Sequence, residues 1–152
     1  MNLIRNNNNE IVRFDGGSSQ LPYEPARWDK VCQKYFKNSN IYPDKMHGDV
    51  LWVGMGGAYG PRNQSENVKS TTIIENSDDI IQRFNIPSKK WNIIEACAYN
   101  YDFKDKKFDF IILDIWAKVI YSNELNSLTN KYKKYLKKHG QLLTIKTLKI
   151  IN

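Results

Sequence analysis

The chain has 152 residues, of which 41% are hydrophobic and 12% aromatic, and its formal net charge at pH 7 is +7. This length predicts one domain with its own core, in which an N-terminal part at residues 1–48 accompanies the main core at residues 49–152. No segment approaches the roughly 20 consecutive apolar residues of a membrane-spanning helix, so the sequence does not predict a membrane protein.

The N-terminal residues and the cysteines indicate the expected compartment. The first residues contain no apolar segment of signal-peptide length, which favours a cytoplasmic location. The two cysteines, Cys32 and Cys97, have neither the spacing of metal ligands nor the density of a disulfide scaffold. We therefore expect two free thiols and no bound metal.

The positive charge raises the question of a nucleic-acid partner. Several lysines crowd one predicted helix, at Lys131, Lys133, Lys134, Lys137 and Lys138. Lysine is common throughout the chain, however, and no RNA- or DNA-binding motif accompanies it. A solvated lysine face is therefore favoured over a nucleic-acid surface.

The N-terminal third predicts a small hairpin and a helix. After the asparagines at residues 6–9, residues 10–14 predict a strand, residues 15–19 a turn, and residues 20–23 a second strand that returns beside the first. Across residues 25–36, apolar side chains recur at intervals of three and four, which predicts an amphipathic helix that packs before the core.

A glycine-rich loop follows the first predicted core strand. Residues 50–53 form a continuous apolar run, and Gly54, Met55, Gly56 and Gly57 come directly after it. Glycine permits positive φ and lets a ligand approach the backbone N–H groups, so a strand entering such a loop is typical of a nucleotide-binding βαβ unit. A tight turn in any α/β protein is the alternative.

A carboxylate stands at the expected distance from this loop. Residues 71–75 predict a second strand that ends at Glu75, nineteen residues after Gly56, the offset typical of an acidic residue that binds ribose hydroxyls. The alternative is a charge at the start of the next helix, with Asn76 or Ser77 as its cap.

The remaining elements predict a Rossmann-like, mostly parallel sheet of about five strands flanked by helices. Only about ten residues separate Gly60 from Thr71, so a helix of two turns or fewer is expected there, with Pro61 at its first position. Further predicted elements are a helix at 78–84, strands at 91–95 and 109–113, a helix at 123–138 that Gly140 ends, and a strand at 141–146. In such a sheet the carboxyl ends of the strands form the ligand site. Those ends are Gly54, Glu75, Ala96 and Asp114.

Five segments in register resemble the motifs of class I S-adenosylmethionine (SAM)-dependent methyltransferases. They are residues 54–57, 74–76, 94–99, 108–114 and 136–142. The resemblance implies SAM as cofactor, with the glycine loop, Met55 included, near its methionine part. It also implies Glu75 and Asn76 at the ribose, Ala96 and Cys97 beside the adenine, and Asp114 at the floor of the transfer site.

Within this superfamily the chain looks most similar to the spermidine synthases, because residues 13–20 resemble the hairpin that precedes their core. The chain has Gly57, Cys97 and Ala117 where that branch carries aspartates, and a cationic amine needs such anionic partners. We therefore expect methyl transfer to a small-molecule acceptor. The alternatives are aminopropyl transfer from decarboxylated SAM to a polyamine, or a non-catalytic nucleotide- or partner-binding module. Because Tyr59 occupies the third glycine position of the dinucleotide fingerprint, a nicotinamide-dependent oxidoreductase is less favoured.

Asp114 is the candidate general base, and the alternative for its side chain is a hydrogen bond to the backbone at its own strand end. Trp116 and Tyr99 could wall the pocket or belong to the core. The loop typical of amino-methylating DNA enzymes is absent after Asp114, so a DNA base is not favoured as acceptor. The family core usually continues past the fifth strand, and we expect a second copy of the chain to cover that edge or the protein to act by binding alone.

Overall fold

The computed structural model describes residues 2–5, 11–15, 25–115 and 122–145. Seven strands and four α-helices occur in these residues. In chain order they are β1 (Asn2–Arg5), β2 (Ile11–Asp15), α1 (Pro25–Asn38), β3 (Gly48–Val53), α2 (Tyr59–Arg62), β4 (Val68–Glu75), α3 (Asp78–Phe84), β5 (Asn92–Glu95), β6 (Phe108–Leu113), α4 (Ser122–Lys133) and β7 (Leu136–Thr144).

Five of the strands form one sheet in the order β5-β4-β3-β6-β7, and every pairing in it is parallel. This arrangement confirms the predicted Rossmann-like fold. From β3 the chain moves outward through β4 to β5, then returns to the other side of β3 for β6 and β7. The strand order therefore reverses between β3 and β6, where ligands bind in open α/β sheets.

The central strand is buried on both faces, which explains its continuous apolar sequence. Val50 and Trp52 belong to one core cluster with Phe36 of α1 and side chains of α3. Leu51 and Val53 belong to a second cluster with side chains of α4. The sheet is thus covered by α1 and α3 on one face and by α4 on the other.

The N-terminal hairpin differs in part from the predicted one. Strand β2 is present as expected, and it pairs antiparallel with β1, an upstream strand that the sequence pattern did not predict. Most of the predicted turn and all of the predicted return strand at residues 20–23 lie outside the described residues.

The crossover between β3 and β4 is short, as predicted. Its only α-helix is the single turn α2, and Pro61 is the third residue of that turn and not the first. Helix α1 packs beside it: the ring of Phe36 stacks on Trp52 with centroids 5.9 Å apart and meets Tyr59 edge-on at 5.3 Å. Helix α3 has the predicted bounds, and the Ser77 hydroxyl accepts the N–H of Ile80 at its start.

The prediction for the last helix and strand is wrong in its boundaries. Helix α4 ends at Lys133 and β7 already begins at Leu136, so Gly140 lies within a strand and does not end a helix. The physical reason is the burial of Tyr132 and Tyr135, together with the Tyr135 carbonyl, which accepts the N–H of Phe108 at 2.8 Å and starts the pairing with β6. A register shift follows, since Phe108 pairs with Leu136 but Phe110 pairs with Gln141.

This boundary also corrects the expected lysine face. Lys131 and Lys133 are on α4, whereas Lys137 and Lys138 are on β7, so the lysines do not share one helix. Among the described residues, no helix combines the length and apolar character needed to cross a membrane.

Candidate functional site

The residues predicted to form the ligand site meet at the carboxyl ends of the parallel strands. The N–H of Gly54 donates to the Ile74 carbonyl at 2.8 Å, and the N–H of Asp114 donates to the Val53 carbonyl at 2.8 Å. The N–H of Ala96 donates to the Glu75 carbonyl at 3.0 Å. Gly54 therefore lies between the ends of β4 and β6, at the reversal of strand order.

Two glycines of the loop have conformations that favour glycine. Gly54 has φ +98° and Gly56 has φ +50°. A Cβ on Gly54 would lie 2.2 Å from the backbone oxygen of Asp114, so the close approach of the two strand ends requires glycine. No atom lies within 4 Å of a Cβ built on Gly56, so the space above the loop is open at this position.

The Glu75 carboxylate connects the glycine loop to the helix that follows β4. One oxygen accepts the N–H of Met55 at 3.1 Å, and the other accepts the N–H of Ser77 at 2.9 Å. A carboxylate offers about four lone-pair positions, so each oxygen retains one for a further donor such as a ribose hydroxyl. The hydrogen bond from Ser77 supports the alternative that Glu75 serves the helix start, and ribose binding by Glu75 stays a prediction.

The segment after β5 contains the residues predicted beside adenine. Ala96 and Cys97 are partly exposed, Asn76 at the end of β4 is exposed, and both Cys97 and Cys32 are free thiols. Helix α4 holds this segment: the Tyr132 hydroxyl donates to the Ala98 carbonyl at 2.7 Å and Lys131 Nζ donates to the Tyr99 carbonyl at 3.0 Å. Burial raises the pKa of Tyr132, so its hydroxyl stays protonated and donates.

Asp114 is partly exposed at the end of β6, and its charge acts on the buried Cys32 of α1. Burial and then the negative charges of Asp114 and Asp29 raise the pKa of the Cys32 thiol well above its usual range. The thiol is therefore neutral and does not compete with Asp114 as a base. Trp116 and Ala117 lie outside the described residues.

Sequence reasoning missed Arg62. Its Nε and one terminal nitrogen donate to the Gly57 carbonyl at 3.3 and 3.2 Å. The two terminal nitrogens also donate to both Asp29 oxygens, at 3.1 and 2.6 Å. No local sequence pattern predicts this salt bridge, because Arg62 and Asp29 are 33 residues apart.

Comparison with solved structures shows the same fold in SAM-dependent methyltransferases. DhpI in a complex with SAM and HEP superposes with a TM-score of 0.61 at 14% identity, covering 80% of this chain and 56% of that one. A SAM-dependent methyltransferase from Clostridium acetobutylicum has a TM-score of 0.53 at 19% identity, covering 80% of this chain and 50% of its own. The N-methyltransferase NodS from Bradyrhizobium japonicum has a TM-score of 0.54 at 16% identity, with coverages of 84% and 70%.

The chain spans about half the length of the first two structures. No protein-family model and no curated protein sequence matches it. At these identities the comparisons show the fold, which is the class I methyltransferase fold that the motifs resemble.

Proposed function

We propose that the protein is a SAM-dependent methyltransferase that acts on a small-molecule acceptor. The observation that carries the proposal is the position of Glu75, whose carboxylate accepts the N–H of Met55 beside open space above Gly56. This puts an anionic acceptor for ribose hydroxyls next to a glycine loop at the reversal of strand order. The complexes and methyltransferases that share the fold support the same cofactor.

The residues present fit the cofactor part by part. The loop Gly54 to Gly57 would lie against its methionine part, Glu75 and Asn76 against the ribose, and Ala96 and Cys97 against the adenine. Within the described residues, the N–H groups of Gly56 and Gly57 donate to no protein acceptor, so both are available to a ligand. When bound, SAM supplies a methyl group that its sulfonium already activates.

The chain itself must align the acceptor and, for some acceptors, remove a proton. Asp114 at the end of β6 is the proposed base, since its carboxylate would take the proton that the acceptor loses. The neighbouring Cys32 thiol stays neutral and adds no charge that would compete for the acceptor.

The spermidine synthase-like alternative is less consistent with the loop. That branch has an aspartate at the position of Gly57, where it would hold a cationic amine. Here Gly57 has no side chain, and its carbonyl accepts hydrogen bonds from the Arg62 guanidinium, which is paired with Asp29. No carboxylate at this position is left to hold a cationic amine, which argues for methyl transfer over aminopropyl transfer to a polyamine.

Titration calorimetry tests the cofactor directly. We expect SAM and its by-product S-adenosylhomocysteine to bind, and a nicotinamide dinucleotide to bind much more weakly. Clear binding of the dinucleotide with no heat from either SAM compound would overturn the proposal.

The acceptor requires an activity screen. Small amines, polyamines and RNA are incubated with labelled SAM, and decarboxylated SAM is tested in parallel for aminopropyl transfer. Transfer of label to a small molecule is the expected result. Tight cofactor binding without turnover on any acceptor would favour the binding module instead.

A further inference from the structure

The peptide group between Gly57 and Ala58 is held at both of its polar atoms. Its carbonyl accepts two hydrogen bonds from Arg62, and its N–H donates to the Met55 carbonyl at 2.8 Å. Met55 is in turn held through its own N–H by Glu75. The loop is therefore fixed on both sides of Gly56, whose N–H has no protein acceptor among the described residues.

The loop needs this support because its own helix is short. A short helix is marginal without packing against its surroundings, and α2 has only four residues. Ala58, at the start of α2, has φ +57°, a conformation that disfavours residues with a Cβ. An external contact must offset that strain.

Helix α1 supplies the contact through Asp29. The Asp29 carboxylate binds both terminal nitrogens of Arg62, and the two side chains are only 33% and 26% exposed. A bidentate pair of this kind fixes the plane of the guanidinium. The remaining N–H groups are thereby held in the direction of the Gly57 carbonyl. Asp29 thus orients Arg62, and Arg62 orients the loop.

We propose that Arg62, held by Asp29, is a positioning residue for the cofactor loop, which makes α1 part of the cofactor site. Its guanidinium fixes the Gly57 carbonyl and so keeps the N–H groups of Gly56 and Gly57 in place for the cofactor. This inference rests on the proposed function where it concerns SAM, but its claim about the loop does not depend on the ligand.

The test compares Arg62→Met, Arg62→Lys and Asp29→Asn with a matched control, Lys137→Met. Lys137 bridges Asp49 and Asp109 at 2.8 and 2.9 Å, at the opposite end of the sheet. Its replacement therefore breaks an ion pair without touching the loop. Each variant is measured by urea unfolding, by calorimetry with S-adenosylhomocysteine, and by hydrogen exchange of the Ala58 amide relative to the Ile112 amide.

We expect Arg62→Met to weaken binding about 10-fold or more, as for loss of a charged hydrogen bond, and to speed exchange at Ala58 relative to Ile112. Arg62→Lys should recover part of both losses, because an ammonium reaches one acceptor but lacks the fork of a guanidinium. Asp29→Asn is the milder variant: it should also weaken binding and speed exchange at Ala58, with a smaller effect on the free energy of unfolding. Lys137→Met should leave affinity and relative exchange unchanged.

Wild-type affinity and wild-type Ala58 exchange in folded Asp29→Asn and Arg62→Lys would overturn the proposal. An equal loss of affinity in Lys137→Met would also overturn it, since the effect would then follow general stability. If the wild-type protein binds no SAM compound, the proposed function fails, and the exchange at Ala58 still decides whether Arg62 holds the loop.

Discussion

Glu75 and Met55 are joined by a hydrogen bond of 3.1 Å from the Met55 N–H to the Glu75 carboxylate. Because the other carboxylate oxygen accepts the N–H of Ser77 at 2.9 Å, one side chain at the end of β4 fixes both the glycine loop and the start of α3. The proposed ribose-binding residue is thus also a structural one. A substitution there must be judged by both affinity and stability.

Replacing Glu75 by Gln should weaken binding of S-adenosylhomocysteine by about 1–3 kcal/mol, because the ribose hydroxyls and two backbone N–H groups lose a charged acceptor. Calorimetry measures the affinity and urea unfolding measures the stability. Glu95→Gln is the matched control, since Glu95 pairs with Glu75 in the neighbouring strand but is exposed. Equal affinities in both variants would show that Glu75 acts only at the helix start.

Two glycines near the loop should respond differently to alanine. A Cβ on Gly60 would lie 2.2 Å from the ring of Trp52, which is fully buried, so Gly60→Ala should lower the free energy of unfolding by about 1–3 kcal/mol. The new Cβ of Gly56→Ala meets no atom within 4 Å, so the free energy of unfolding should fall only by the roughly 1–2 kcal/mol that a side chain costs at positive φ. The added methyl group also enters the proposed cofactor space. Urea unfolding and calorimetry on both variants separate the two effects, and normal cofactor affinity in Gly56→Ala would contradict the proposed site.

Lys137 should stabilise the fold over a defined pH range. Its hydrogen bond, followed by that of Ser70, lowers the pKa of Asp49. Burial opposes the change at Asp109, but hydrogen bonds from the Asp49 N–H and from Lys137 lower its pKa as well. The two carboxylates raise the pKa of Lys137.

Because the carboxyl pKa values in the folded state lie below the unfolded value of about 3.9, this contribution is complete above about pH 5 and is lost as the pH falls through them. At the alkaline end it is lost only as the pH rises through the raised pKa of Lys137, above about 10.4. Lys137→Met should therefore lower the urea midpoint at pH 7, with the difference from wild type shrinking near pH 2. Lys138→Met on the same strand is the control, and a difference that persists unchanged at pH 2 would contradict this account.

The sequence was sufficient for the parts of the fold that local patterns encode. The apolar run of β3, the glycines after it and the spacing to Glu75 predicted the central sheet and the edge where Gly54, Glu75, Ala96 and Asp114 meet. The helical periodicity of apolar residues predicted the wrong boundary between α4 and β7. Leu128, Tyr132 and Leu136 keep helical spacing across the boundary, but the burial of Tyr135 and the pairing of this segment with β6 override it.

The salt bridge between Arg62 and Asp29 could not be predicted from the sequence for a different reason. A salt bridge between residues 33 positions apart leaves no periodic trace, and each residue separately resembles an ordinary surface charge. The segment predicted beside adenine shows the same limit, since its carbonyls at Ala98 and Tyr99 are held by side chains of α4 more than 30 residues away.

Strand β7 forms one edge of the described sheet and should associate with another copy of the chain. A long edge strand presents backbone N–H and C=O groups that a second strand can pair with. Light scattering at micromolar concentration should give twice the mass of one chain, falling on dilution. A soluble species that keeps the mass of a single chain at every concentration would contradict this proposal.

The role of Asp114 distinguishes an enzyme from a binding module. Asp114→Asn keeps the size of the side chain and the hydrogen bond from its backbone N–H to Val53, so the end of β6 should stay in place. Cofactor affinity should be nearly unchanged, and turnover on the acceptor found by the screen should fall about 10²-fold or more, as expected for loss of a general base. Single-turnover rates with labelled SAM measure the step itself. Turnover that survives the substitution unchanged would remove Asp114 from the chemistry and leave alignment of the acceptor as the source of catalysis.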